Sequence, residues 1–180
     1  MEVSISTIIT YMLLDILHYP DERLRNAAKP VEIFDDKLKK IVEDMFETMY
    51  NAHGIGLAAI QVGISLRVVT MDLTGQDKQQ PVVFVNPMLT NISSEINVYE
   101  EGCLSIPGVN EKVERPKTVT INAQDINGNH FAIDADELLA TCIQHEIDHL
   151  DGKVFIDRIS RLKKSRIDDK IRKESKENAE

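Results

Sequence analysis

The sequence predicts an α+β fold in which antiparallel β-sheets pack around a central helix, with a helix N-terminal to them and another at the C-terminus. Three observations predict it. Residues 38–50 carry apolar side chains at 38, 41, 42, 45, 46 and 49, the stripe of an amphipathic helix. Thr118–Ala123 and His130–Ile133 flank Asp125-Ile126-Asn127-Gly128, and Asn-Gly between apolar runs marks a hairpin. A second helical segment follows that hairpin directly, so helices bracket the strands.

Taken in order, the first helix is led by Asp35-Asp36 as a cap and ended by His53-Gly54. Gly54–Gln61 is a glycine-rich turn. Leu66–Leu73 and Val82–Val85 have the composition of strands, with Asn86-Pro87 as a break. Asp134 and Glu137 have capping-box spacing ahead of Leu138, Leu139 and Ile143, and Gly152 suits the helix stop. Ile159, Leu162, Ile167 and Ile171 keep apolar periodicity, predicting a terminal helix. The expected organisation is an extension over residues 1–11, a catalytic unit over 12–157 and a basic helical tail over 158–180.

At 180 residues and 42% hydrophobic, one domain with a mainly aliphatic core is the simplest organisation. Two cysteines argue against a disulfide scaffold and for a reducing compartment. Ile8–Leu14 is apolar, but Glu2 precedes it, no basic flank is present and Asp15 cuts it short. That excludes a membrane span and a signal peptide, so the cytoplasm is the expected location and Met12 the expected natural start.

The chemistry concentrates in His145-Glu146-Ile147-Asp148-His149. Histidines four apart share one helix face, so both imidazoles can reach one metal ion, and Glu146 lies where a carboxylate can handle the proton of an attacking water. A solvated helix that happens to carry two histidines is the plain alternative. Two cysteines compete for the third position. Cys142 shares the helix face, but the midpoint of the metal pair lies about 7–8 Å further along at ~1.5 Å per residue, too far for a one-carbon arm. Cys142 therefore suits a pocket wall. Cys103 follows Gly102, which lets the backbone pass close to an ion, and precedes Leu104-Ser105-Ile106-Pro107. Cys103, His145 and His149 without a fourth protein ligand leave one position open, the pattern of a catalytic site. Small residues at 54, 56, 58 and 59 permit close backbone approach, and Gln61 offers an amide donor for an oxyanion.

Three segments, Gly54-Ile55-Gly56-Leu57-Ala58-Ala59-Ile60-Gln61, Glu101-Gly102-Cys103-Leu104-Ser105 and the 145–149 segment, resemble in order the signature motifs of the peptide deformylase family of bacterial type. Ile16–Arg25 and Phe46–Tyr50 are similar to the same family, so the likeness runs from about residue 12 to at least 160. Residues before Met12 have no counterpart in that pattern. A basic residue that follows the Leu-Ser-Ile-Pro segment in some members is replaced by Gly108-Val109-Asn110, which offers no such charge.

The resemblance implies a metal-binding central helix and hydrolysis of the formyl group from formylmethionine at the start of new polypeptides. It implies Glu146, Gln61 and the Leu104 amide as catalytic groups, and Cys103, His145 and His149 as metal ligands. Backbone at Ile55, Gly56 and Gly102 would pair with the peptide, and Leu138, Thr141 and Cys142 would line the methionine pocket. It implies Fe(II), with Zn(II) or another divalent ion able to take the site.

Charge is uneven along the chain. The total is −9, yet Arg158–Lys176 holds nine basic residues against three acidic, which leaves the rest near −15. A basic tail on an acidic body suits a solvated helix, or, as the resemblance implies, contact with the RNA-rich ribosome. No DNA or membrane partner is expected. Two other readings stay open: a zinc peptidase of the His-Glu-x-x-His type, and a ribosome- or RNA-binding module with a structural metal.

Overall fold

A computed structural model describes residues 12–74 and 79–177. The expected extension over residues 1–11 lies outside them. Helix α1 (Asp36–Asn51) starts where Asp35 accepts hydrogen bonds from the amides of Lys37 and Leu38, which satisfies amide donors that the first turn leaves open. Its stripe buries Leu38, Val42, Met45 and Met49, with Ile41 and Phe46 half-buried at its margin. The helix ends at Ala52, and His53 adopts a left-handed φ of 55°.

Among the described residues seven strands follow: β1 (Gly56–Ala58), β2 (Val68–Met71), β3 (Val82–Thr90), β4 (Ile96–Cys103), β5 (Ile106–Pro116), β6 (Val119–Gln124) and β7 (His130–Ala135). Every ladder between these strands is antiparallel, in one sheet ordered β1-β2-β3-β6-β7 and a separate β4-β5 hairpin. The expected β6–β7 hairpin is present, with Gly128 at φ 86° in its turn.

Side-chain alternation decides which helix covers which face of the large sheet. Leu57, Val68 and Val85 pack with α1, whereas Ala58, Val69, Met71 and Phe84 pack with Ala140, Ile143, Ile147 and Leu150 of helix α2 (Glu137–Leu150). On its other side α2 meets the β4–β5 hairpin. This is the expected α+β arrangement, and it puts α2 between two sheets.

Three local expectations are corrected. Asn86-Pro87 does not break β3. The strand continues through a register shift between Val85 and Met88, with Asn86 at φ 52°, because the Asn86 side chain exchanges hydrogen bonds with both backbone groups of Val31 at 2.7 and 2.9 Å. Asp134 does not cap α2: it lies in β7 and accepts from the Thr120 hydroxyl at 2.7 Å, and Asp136 holds the cap position. The 54–61 segment is more than a turn, since it forms β1 and then a 3₁₀ turn over Ala59–Val62.

Gly152, at φ 73°, follows α2 as expected. Helix α3 (Arg161–Glu177) then packs Ile167 and Ile171 with Tyr19 and Phe155, while Leu162 is 63% exposed rather than on the apolar face. Tyr19 donates to Asp168 at 2.9 Å, and Lys163 and Lys164 pair with Glu111 and Asp157. No helix among the described residues is long and apolar enough to cross a membrane.

Candidate active site

Three elements that are remote in sequence converge on the hairpin-facing side of α2. The helix brings His145, Glu146 and His149, which are all buried. The end of β4 brings Cys103, next to the two-residue turn Leu104-Ser105. The 3₁₀ turn after β1 brings Gln61. Behind them, the N-terminal segment ties two of these pieces together: the Leu17 amide donates to the Gln61 carbonyl at 2.7 Å and the Tyr19 amide to the Ser105 carbonyl at 2.8 Å.

One ligand atom from each of Cys103, His145 and His149 lies within 4.8 Å of the others. Cys103 Sγ is 3.2 Å from His149 Nε2. Glu146 Oε2 and His149 Nδ1 are the buried side-chain polar atoms without a hydrogen-bond partner among the described residues. Buried polar groups are rarely left unpaired; Glu146 Oε2 adjoins the donor set, while His149 Nδ1 is the ring nitrogen opposite the one that faces Cys103. A thiolate with two imidazoles is a borderline-soft donor set that suits a divalent transition metal, so the residues fit such an ion.

The electrostatics agree with that fit. Burial opposes protonation of His145, but its contacts with Cys103 and Glu101 overcome burial and raise it to about 10. Burial, helped by the charges of His145 and Arg115, holds His149 well below the ordinary histidine range. A bound cation would displace the proton that His145 holds and would meet His149 already neutral. Glu146 is lifted to about 7, chiefly by burial, against the pull of His145 and Arg115. Burial pushes the Cys142 thiol to about 12, as befits a wall residue rather than a ligand.

Gln61 is oriented by the chain itself. The Ala58 amide can only donate, and it donates to Gln61 Oε1 at 2.8 Å. Nε2 therefore faces the other way, 3.1 Å from Ser105 Oγ and 3.6 Å from Cys103 Sγ. Gly56 leaves room for Glu146, because a Cβ there would stand 2.5 Å from Glu146 Oε1.

A cavity of about 550 Å³ opens onto these groups. Cys103, Leu104, Gln61, His145 and Glu146 line it, and so do Ile55, Gly56, Gly102, Leu138, Thr141 and Cys142. His149 is fully buried behind them. The structure thus brings every candidate residue to one place. Its wall also includes Tyr99, to which the sequence alone gives no role, and Gly108, Val109 and Asn110, which stand where some family members place a basic residue.

Behind the donor set lies a buried charge network that the motifs do not announce. Glu101 Oε2 accepts from His145 Nδ1 at 2.9 Å, and both Glu101 oxygens bind Arg115, at 2.5 and 2.9 Å. Arg115, 2% exposed, also donates to Asp148 at 2.8 Å, which Arg158 holds through two further bonds. Burial works to raise the Glu101 carboxyl, but Arg115 and His145 bring it down to about 2. As an ionised acceptor it assigns the proton to His145 Nδ1 and leaves Nε2 free to ligate. Glu101 and Asp148 lie within the 101–105 and 145–149 motifs, which was the available signal. Arg115 and Arg158 carry none locally. Phe155 stacks on the His145 ring at 5.9 Å between centroids.

A sheet, a hairpin and a histidine-bearing helix between them, with a carboxylate beside the donor set, are the frame of a small metal-dependent hydrolase. The family profile described as polypeptide deformylase matches residues 13–165. The peptide deformylase of Chromobacterium violaceum is 53% identical over 166 residues, 92% of this chain and 98% of the relative. That of Pseudomonas aeruginosa is 52% identical over 167 residues, 93% of this chain and 99% of the relative.

Among solved structures, a peptide deformylase from Legionella pneumophila superposes with a TM-score of 0.87 at 46% identity, covering 93% of this chain and 98% of that one. One from Synechococcus elongatus in complex with actinonin gives 0.83 at 44% identity, covering 87% and 86%. The chain belongs to the polypeptide deformylase family and is an enzyme.

Proposed function

We propose that this chain removes the N-formyl group from the N-terminal formylmethionine of newly synthesised polypeptides, releasing formate. The observation that carries the reading is the shared cavity, in which Glu146, Gln61 and the Cys103/His145/His149 donors adjoin a pocket walled by Leu138, Thr141 and Cys142. A divalent ion held by those three donors would polarise the formyl carbonyl and make a water acidic enough to attack near neutral pH. We infer Fe(II) as the native ion, with Zn(II) or another divalent ion able to occupy the same donors.

Glu146 Oε2, buried and without a partner among the described residues, takes a proton from the attacking water and later delivers it to the departing amine. A carboxyl that burial lifts to about 7 is suited to both transfers. Gln61 Nε2 and the backbone amide of Leu104 donate to the formyl oxygen as its charge grows, a contribution of about 3 kcal/mol per donor. Gly56 lies on β1, an edge of the large sheet, and Gly102 lies on β4 across the cavity. Backbone at Ile55, Gly56 and Gly102 pairs with the peptide as an added strand, which tolerates sequence variation. Leu138, Thr141 and Cys142 receive the methionine side chain.

Residues 12–157 form the catalytic unit and 158–180 the basic tail, acting in the cytoplasm. Arg161 and Arg166 of α3 have no ion pair among the described residues, and they supply charge for contact with ribosomal RNA. The peptidase reading is disfavoured because the third donor beside the histidines is Cys103, where a peptidase of that type uses a downstream carboxylate or histidine.

The test is formate release from a formyl-methionyl peptide, with protein purified without oxygen in the presence of Fe(II). Release that stops on chelation supports the reading. Folded, metal-loaded protein that releases no formate but digests casein would replace it with the peptidase. Formate release by Glu146→Ala at the wild-type rate would overturn the role given to Glu146.

A further inference from the structure

The His145 ring is connected to the protein surface by four charged side chains, and the last of them lies in the segment leading into α3. His145 Nδ1 is 2.9 Å from Glu101, Glu101 is bound twice by Arg115, Arg115 Nη1 is 2.8 Å from Asp148, and Asp148 is bound twice by Arg158 at 2.5 Å. The side chains of Glu101, Arg115 and Asp148 are at most 5% exposed, whereas that of Arg158 is 38% exposed. Arg158 is therefore where this chain of charges meets solvent.

Arg115 divides its donors between two buried carboxylates. Nε and Nη2 grip Glu101 while Nη1 alone serves Asp148. Asp148 Oδ2 accepts from both arginines, and its Oδ1 is satisfied by Arg158. A buried carboxylate that loses a partner must find another or take up water. Without Arg158, Asp148 would draw Arg115 toward itself, and the cleft of about 460 Å³ outside it, lined by Arg67, Gln144 and Asp151, would admit water. The grip on Glu101 would loosen, and with it the orientation of the His145 ring.

We propose that Arg158 is a positioning residue for the metal centre: by satisfying Asp148 it leaves Arg115 to hold Glu101, and Glu101 fixes the His145 ring. The segment leading into α3 is thereby coupled to the site. This rests on the ligand set proposed above.

The sign of the effect separates positioning from simple charge. Removing a nearby cation would, by Coulomb's law alone, tighten a divalent ion and slow its release. Loss of ligand orientation does the opposite, and outer-shell changes of this kind cost 10–100-fold in metal affinity.

The experiment follows transfer of zinc from the full-length, zinc-loaded enzyme to a chromophoric chelator. Cobalt-loaded samples report the geometry of the site through their ligand-field bands. Arg158→Ala is expected to speed release about tenfold or more and to shift those bands, with Arg158→Lys falling between because it restores charge without the two-pronged grip. Lys164→Ala, which removes the ion pair with Asp157 at the same end of α3, is expected to leave release within about twofold of wild type. Unchanged or slower release in Arg158→Ala overturns the proposal, as does equal acceleration in Lys164→Ala. Wild-type protein lacking a thiolate-to-cobalt charge-transfer band would overturn the ligand set, and the proposal with it.

Discussion

Gly56 and Glu146 occupy each other's space: a Cβ at Gly56 would stand 2.5 Å from Glu146 Oε1 and 3.1 Å from its carboxyl carbon. The glycine lies on a short edge strand and the glutamate on α2, so the absent side chain sets how closely helix and strand approach around the carboxylate proposed as the proton acceptor. Gly56→Ala is expected to lower kcat by about 10²-fold, the cost of misplacing a reacting group by about an ångström. Steady-state kinetics beside a thermal melt checks this. Activity within a few-fold of wild type would show that Glu146 has room to spare.

Glu146→Gln keeps the shape and removes the proton acceptor. It is expected to lose about 10²–10⁴ in kcat while retaining bound metal, as measured by elemental analysis beside turnover. The wild-type pH profile carries the same information. The carboxyl must be ionised to accept a proton, so kcat/KM rises with pH through a midpoint set by its burial, about 7 before a cation is bound. A bound divalent ion favours the ionised form and moves that midpoint to lower pH. A rate that falls with rising pH across this range would assign the base elsewhere.

Gln61 is held by the Ala58 amide, so its Nε2 is oriented before any substrate arrives. Gln61→Leu removes the proposed oxyanion donor and is expected to cost about 10²–10³ in kcat with little change in KM. A change confined to KM would make Gln61 a binding residue instead.

Acid should loosen the Glu101 network. Its carboxyl is depressed from 4.5 to about 2 by Arg115 and His145, which overcome burial. A depressed folded-state pKa contributes stability that is present above the unfolded value and lost as pH falls through the folded one. The window is therefore about pH 4.5 down to 2, and the contribution is on the order of 2–3 kcal/mol. Asp157, also held at about 2 against burial by Arg25 and Lys164, loses its share in the same window. Urea midpoints measured from pH 5 to 3 should fall steadily, and a flat series would contradict the assignment.

Gly152 tests the fold rather than the chemistry. Its φ is 73°, and a Cβ there would collide with the backbone of Arg25. Gly152→Ala is expected to destabilise the protein by about 1–3 kcal/mol in urea denaturation. Metal-loaded protein that remains folded should keep near-normal kcat.

What could be read locally was read from local causes. The α1 stripe, the Asn127-Gly128 hairpin and the four-residue spacing of His145 and His149 each follow from the geometry of one element, and periodicity exposes it. The choice of Cys103 over Cys142 followed from helix rise alone. β3 shows the opposite case. Nothing near Asn86-Pro87 signals that the strand continues, because its cause is a pair of hydrogen bonds to Val31, 55 residues away.

The sequence by itself determined the chemical groups: a thiol, two imidazoles and a carboxylate at spacings that one helix and one strand end can present. Tertiary structure alone decided which distant charges stand behind them. Arg115 reads as an ordinary strand cation until β5 packs against α2, where a buried guanidinium is tolerated only between Glu101 and Asp148. That pairing depends on desolvation, and desolvation is a property of the packed molecule that no stretch of sequence displays.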